Sequence, residues 1–142
     1  MSVSTFSIGR DTQLVVVGPQ GRLDLSFVSG FESHQLTQSV RVSRLDGTQM
    51  GTELPKGWEG SFELERGSSA VEDFIAAAEQ SFYTGALNAN STMYQYIAEP
   101  DGSTSTYQYD SVMFKLASAG HWKGDSSVKQ KLEFFATRRR RI

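Results

Sequence analysis

Apolar and polar side chains alternate with a period of two along much of this chain, most densely over residues 93–142. That period fits a strand with one buried face and does not fit a helix. Three strand-like runs lie here, at 93–99, 105–118 and 128–137. Pro100-Asp101-Gly102-Ser103 separates the first two, and Gly120 with Gly124-Asp125 brackets the next turn. In the last run Val128, Leu132, Phe134 and Ala136 fall on one face, with Lys129, Lys131, Glu133 and Phe135 opposite. Arg138, Arg139, Arg140 and Arg141 follow directly. Such a chain is mostly sheet, and its closing charge needs a partner: solvent, nucleic acid or a neighbouring subunit.

The first half carries weaker versions of the same signal. Residues 13–17 are a β-branched run ended by the turn Gly18-Pro19-Gln20-Gly21. Residues 22–27 alternate, with Leu23, Leu25 and Phe27 against Asp24 and Ser26. Residues 39–45 place Val40 and Val42 inward, Arg41 and Ser43 outward. A polar, glycine-rich stretch follows over 46–57, containing Asp46, Gly47, Met50, Glu53, Leu54, Pro55 and Lys56. Its lack of periodicity reads as a long loop, and long loops are commonly functional or mobile. From Trp58 the alternation resumes, with Trp58, Gly60, Phe62 and Leu64 on one face and Glu59, Ser61, Glu63 and Glu65 on the other.

One helix is expected, over residues 69–84. Ser69 and Glu72 have capping-box spacing. Val71, Phe74, Ile75, Ala78 and Phe82 form one apolar stripe, and Gly85 supplies a stop. The pattern predicts a mainly β fold: a β-sandwich or barrel of about six or seven strands with one flanking α-helix.

The 142 residues fit one domain, 1–142, able to bury a core. Hydrophobic content of 38% and charged content of 21% are those of ordinary globular proteins. No apolar run approaches the roughly 20 residues of a membrane helix, and no secretory signal pattern opens the chain. With no cysteine, disulfides and thiolate chemistry are excluded, and assembly in a cytoplasm is the expectation. The net charge of −2 conceals an asymmetry: four of the 14 basic residues are the terminal arginines, leaving an acidic body. An acidic body lacks the basic face of a general nucleic-acid clamp.

Catalytic patterns are missing. His34 and His121 stand in unrelated contexts without metal-ligand spacing. There is no nucleophile elbow and no phosphate-binding loop, so neither enzyme activity nor a cofactor or metal is expected. Asn90-Ser91-Thr92 fits a glycosylation sequon, without meaning in a chain lacking an export signal. Tyr94, Tyr96, Tyr107 and Tyr109 could stack on single-stranded nucleic acid, but basic residues are scarce around them. Cross-strand pairing over the Pro100–Ser103 turn is the preferred reading.

The order of these pieces resembles the tail tube proteins of tailed bacteriophages, in particular the short single-domain tubes of contractile tails. LDGTQMGTELPKGWEGSFELER is similar to the family's long loop followed by its P-x-G-W-x-G-S-F-x-x-x-R strand. VEDFIAAAEQSFYTG matches the family's helix, and AGHWKGDSSVKQKLEFFATRRRR its G-x-W-x-x-D-x-x-V close. The resemblance implies a structural virion protein without cofactors. Its strands would join an inter-subunit β-barrel, in hexameric rings stacked into a tube that conducts genome DNA. Implied partners are further copies, a sheath, a baseplate or tail tip and a tail terminator, with genome DNA passing unbound and no membrane contact. The implied location is the virion tail, assembled in host cytoplasm. A type VI secretion-like tube shares these features, and a monomeric ligand-binding β-barrel is the rival from another class.

A DNA channel should repel phosphate. Glu59, Glu63 and Glu65 are therefore candidates for the lumen, with Asp24 and Asp110 behind them. Alternation defines two faces without saying which is inside, so a solvated outer face is the competing reading. The 46–57 stretch is the candidate inter-ring contact. The helix is expected outside the barrel, and Arg138–Arg141 are expected to contact another subunit or a sheath.

Overall fold

A computed structural model describes residues 7–18, 21–25, 28–85 and 91–142. Eight antiparallel strands and one helix build it: β1 (Thr12–Gly18), β2 (Gly21–Asp24), β3 (Val28–Ser43), β4 (Gln49–Glu65), α1 (Ala70–Tyr83), β5 (Ser91–Ala98), β6 (Thr104–Ser118), β7 (Lys129–Ala136) and β8 (Arg138–Arg141). They form one sheet in the order β2-β1-β5-β6-β7-β4-β3, with β8 also paired to β6. The fold is mainly β, and the sheet is not closed into a barrel.

Strand β6 belongs to both halves of this sheet. Its first part pairs with β5 and β8, its second part with β7. The change falls at Ser111, whose φ of 51° is, among the described residues, the one positive value outside glycine. Between Tyr109, opposite Met93, and Val112, opposite Ser91, β6 carries one residue more than β5. That bulge costs about 1 kcal/mol of backbone strain and flips the alternation. Tyr109 and Val112 consequently both point into the core.

The core lies where the two halves face each other. Leu14, Val16, Leu23 and Leu25 come from one side; Phe62, Leu64, Leu132, Phe134 and Ala136 come from the other. Ring contacts knit it: Phe31 stacks on Phe134 at 5.8 Å, and Tyr109 meets Phe134 edge-on at 5.6 Å. Burying each such ring contributes about 2–3 kcal/mol. Gly60 lets β3 approach, since a Cβ there would lie 2.1 Å from the Glu32 carbonyl oxygen.

Helix α1 covers one flank. Val71 is buried and Phe74 meets Phe114 edge-on at 5.8 Å. The stripe is covered only at its start, because Ala78 and Phe82 are exposed. The expected capping box does not form. Ser69 donates to Asp73 at 3.0 Å, while Glu72 pairs with Arg66 and accepts from the buried Gln130 at 2.9 Å. Glu72 thus ties the helix start to β7. The hydrogen bond from Arg66 holds its carboxyl below the usual range, against a smaller desolvation effect.

The tyrosine pairing is also different. Tyr94 lies opposite Gln108 and Tyr96 opposite Thr106. Tyr94 and Tyr96 therefore stack on each other along β5, at 6.4 Å, while Tyr109 turns inward. A register offset by one residue separates the two tyrosine pairs by face.

Candidate assembly surface

The 46–57 stretch is not a loop. Strand β4 starts at Gln49, and only a tight turn remains, with Gly47 N–H donating to the Arg44 carbonyl at 3.0 Å and Thr48 N–H to Asp46 Oδ1 at 2.9 Å. Met50, Glu53, Leu54 and Pro55 are strand residues paired with β3. Lys56 is an extra residue at a bulge, since Leu36 faces Gly57 and Thr37 faces Pro55. Gly57 has φ of +118°, and a Cβ there would lie 2.8 Å from the Ala136 carbonyl oxygen. The bulge divides the β3–β4 ladder into a body and an arm. Strand β7 flanks β4 only from Trp58 onward, so Pro55 sits where β4 has a single partner, a position that tolerates a missing donor.

The arm is amphipathic. Val42 faces Met50, Val40 faces Thr52 and Gln38 faces Leu54. Val42, Met50 and Leu54 nevertheless keep 54%, 49% and 41% of their surface exposed, so their own chain leaves this apolar face bare. Polar groups occupy the reverse side, where the Ser39 hydroxyl donates to Glu53 and lowers its carboxyl from the ordinary value.

On the body, β6, β7, β4 and β3 form a four-strand sheet with one face on the core. Glu59, Glu63 and Glu65 do share the opposite face, as expected. Glu59 meets His34 Nε2 at 2.8 Å. Cross-strand neighbours place Glu133 beside Ser61, Lys131 beside Glu63, and Lys129 beside Glu65. The face is therefore mixed in charge and not a carboxylate row. Asp110 lies on the other half of the sheet, neutralised by Arg140 with Nε–Oδ2 at 2.7 Å. That hydrogen bond, above all, depresses its carboxyl. The side chain of Asp24 lies outside the described residues. His121 is exposed, and no group of three or more potential metal ligands occurs among the described residues.

The terminal arginines form β8 and continue the course of β7 along β6. Three are engaged within their own chain. Arg140 binds Asp110, and Arg139 lies among Tyr107, Trp58 and Tyr109, at 3.6, 4.9 and 5.7 Å from their ring centroids. Arg141 reaches the Ser105 hydroxyl at 3.3 Å, and Arg138 is exposed. The run therefore closes a strand before it offers charge to any partner.

Two ladder edges of the body have no partner among the described residues. Strand β3 pairs only with β4, and β6 from Met113 to Ser118 pairs only with β7. Residues 28–38 were not legible as strand, because exposed polar groups dilute their alternation; the edge they form is where the sequence was least informative.

No protein-family model matches the chain, and no curated protein does. Solved structures do. A chain of the sheath-tube complex of an extracellular contractile injection system, in the extended state, superposes with a TM-score of 0.64 at 11% identity, covering 99% of this chain and 94% of that one. A chain of the anti-feeding prophage tube-terminating cap gives 0.63 at 10% identity, with coverage of 100% and 94%. A chain from the tail of an empty gene transfer agent particle, refined with C6 symmetry, gives 0.52 at 12% identity, with coverage of 92% and 94%. The open, two-halved sheet described above is thus the fold found in chains of contractile injection systems and of phage-like tails.

Proposed function

We propose that this chain is a structural tail-tube subunit. Copies join side by side into hexameric rings, and the rings stack into a channel that conducts genome DNA during ejection. The pair of open edges on one four-strand sheet carries this reading. Strands β6, β7, β4 and β3 alternate in direction, so β3 of one copy would run antiparallel to β6 of the next. Repeating that joint closes a barrel and leaves no edge exposed, which removes the aggregation hazard of a long free strand. The sixfold symmetry of the gene transfer agent tail and the resemblance of the sequence both support six copies.

In this arrangement the face bearing Glu59, Glu63 and Glu65 lines the lumen. Its three lysines are each set beside a carboxylate in register, so few cations are free to hold phosphate and slow the DNA. Helix α1 lies on the outer side, toward a sheath. The bare apolar face of the arm is buried by a neighbouring copy, and baseplate and terminator proteins cap the stack. The location is the tail of a particle assembled in host cytoplasm, and we assign the chain no catalytic role.

Negative-stain microscopy of the purified protein tests the reading: rings or tubes of uniform width are expected. A monodisperse monomer at every concentration, by sedimentation, refutes it. Particles that assemble but package only protein would favour an injection tube over a genome conduit.

A further inference from the structure

The face of the β6–β7–β4–β3 sheet turned away from the core sorts its charge by strand. Register lays Lys115, Glu133, Ser61 and Glu32 in one row across it. Lys131 and Glu63 share the next, and Lys129 and Glu65 the one beyond. All the lysines sit on β6 and β7. Glu133 apart, the carboxylates sit on β4 and β3.

At the open edges one lysine and one carboxylate stand opposed, His34 of β3 being engaged with Glu59. Lys115 is the sole charged side chain of β6 from Met113 to Ser118, and Glu32 is the sole carboxylate of β3 over residues 28–36. Both are exposed. Among the described residues neither forms an ion pair, although register sets Lys115 beside Glu133; Glu32 accepts only from the Ser61 hydroxyl, at 3.3 Å.

We propose that this pair of edge charges selects how copies join. A second copy is the occupant of each edge, and Lys115 of one subunit is matched to Glu32 of the next. The proposal rests on the tube reading for the existence of the joint and adds what decides its polarity. A bare strand edge can pair with either of two edges on another copy. A twofold joint between two β3 edges puts like against like, and Glu32 stands at the middle of the 28–36 stretch, where such a joint opposes it to itself. Two β6 edges would likewise bring Lys115 against Lys115. Like charges directly opposite on neighbouring strands destabilise a ladder, and opposite charges favour it. Twofold joints are also dead ends, since an isologous pair uses up both copies of one edge, whereas head-to-tail joining continues to closure. Each charge contact is small, but a ring repeats it at every joint.

The experiment compares wild type, Lys115→Glu, Glu32→Lys and the double reversal by sedimentation and negative stain, at low and high salt. Thermal melts of the dilute protein confirm that each variant is folded. Each single reversal should lower the yield of rings about tenfold at low salt, with partial recovery at high salt as the repulsion is screened. The double reversal should restore wild-type yield. Single reversals that assemble like wild type, or a folded double variant that stays unassembled, overturn the charge rule while wild-type rings leave the tube reading standing. Wild type that never forms rings overturns both.

Discussion

Arg139 lies over Tyr107, its guanidinium carbon 3.6 Å from the ring centroid. Trp58 and Tyr109 complete the enclosure. Arginine suits this place because its planar cation stacks on aromatic faces and sheds water more readily than an ammonium. The clamp fastens β8 to β6 next to the core, so the last strand is held by a side chain as well as by its ladder.

Replacing Arg139 with alanine should cost about 1–2 kcal/mol of unfolding free energy, the range of a partly desolvated cation–π contact. Arg139→Lys should recover less than half of it. Denaturant titration gives the energy. Hydrogen exchange at the Ile142 amide, which donates to Thr106 at 2.9 Å, reports the strand directly. Unchanged exchange in Arg139→Ala would mean the ladder alone holds β8.

Asp110 links stability to acid. The Arg140 hydrogen bond, with help from Gln108, lowers its carboxyl despite partial desolvation. A carboxyl lowered by folding stabilises fully above its unfolded value, about 3.9. That contribution fades as pH falls through the lower folded value. Asp110→Asn should therefore reduce stability at neutral pH and show a shallower loss below about pH 4. Melting temperatures from pH 7 down to 2 check this, and parallel curves for the two proteins would contradict it.

The arm should separate folding from assembly. Val42 and Met50 are exposed in the lone chain and face each other across the ladder, so Val42→Lys with Met50→Asp, which sets opposite charges side by side, should change its stability by no more than about 0.5 kcal/mol, as for other surface substitutions. Assembly should fail, because two charges would have to enter a contact between copies. Tubes of normal length from this variant would remove the arm from the interface.

Legibility in the sequence followed burial. Residues 58–65 and 129–136 could be read as strands with assigned faces because one side of each packs on the core, and burial is what imposes alternation. Helix α1 was visible through its stripe, since Val71 and Phe74 do pack. The arm was misread as a loop because no core lies beneath it; Met50, Thr52 and Leu54 alternate, but glycine and proline interrupt them. The glutamates were placed on one face correctly, while the lysines that stand beside them came from β7, distant in the chain.

Where one side of a segment packs on the core, local order was thus determined by the sequence itself: that residues 58–65 and 129–136 extend, that α1 coils, and which of their side chains share a face, all consequences of short-range backbone geometry. Only the tertiary structure decided which strands are neighbours, where β6 changes partners at Ser111, that the arginine run becomes a strand, and which edges stay open. Those outcomes depend on hydrogen bonds and contacts between residues far apart in the chain, and no local period encodes them.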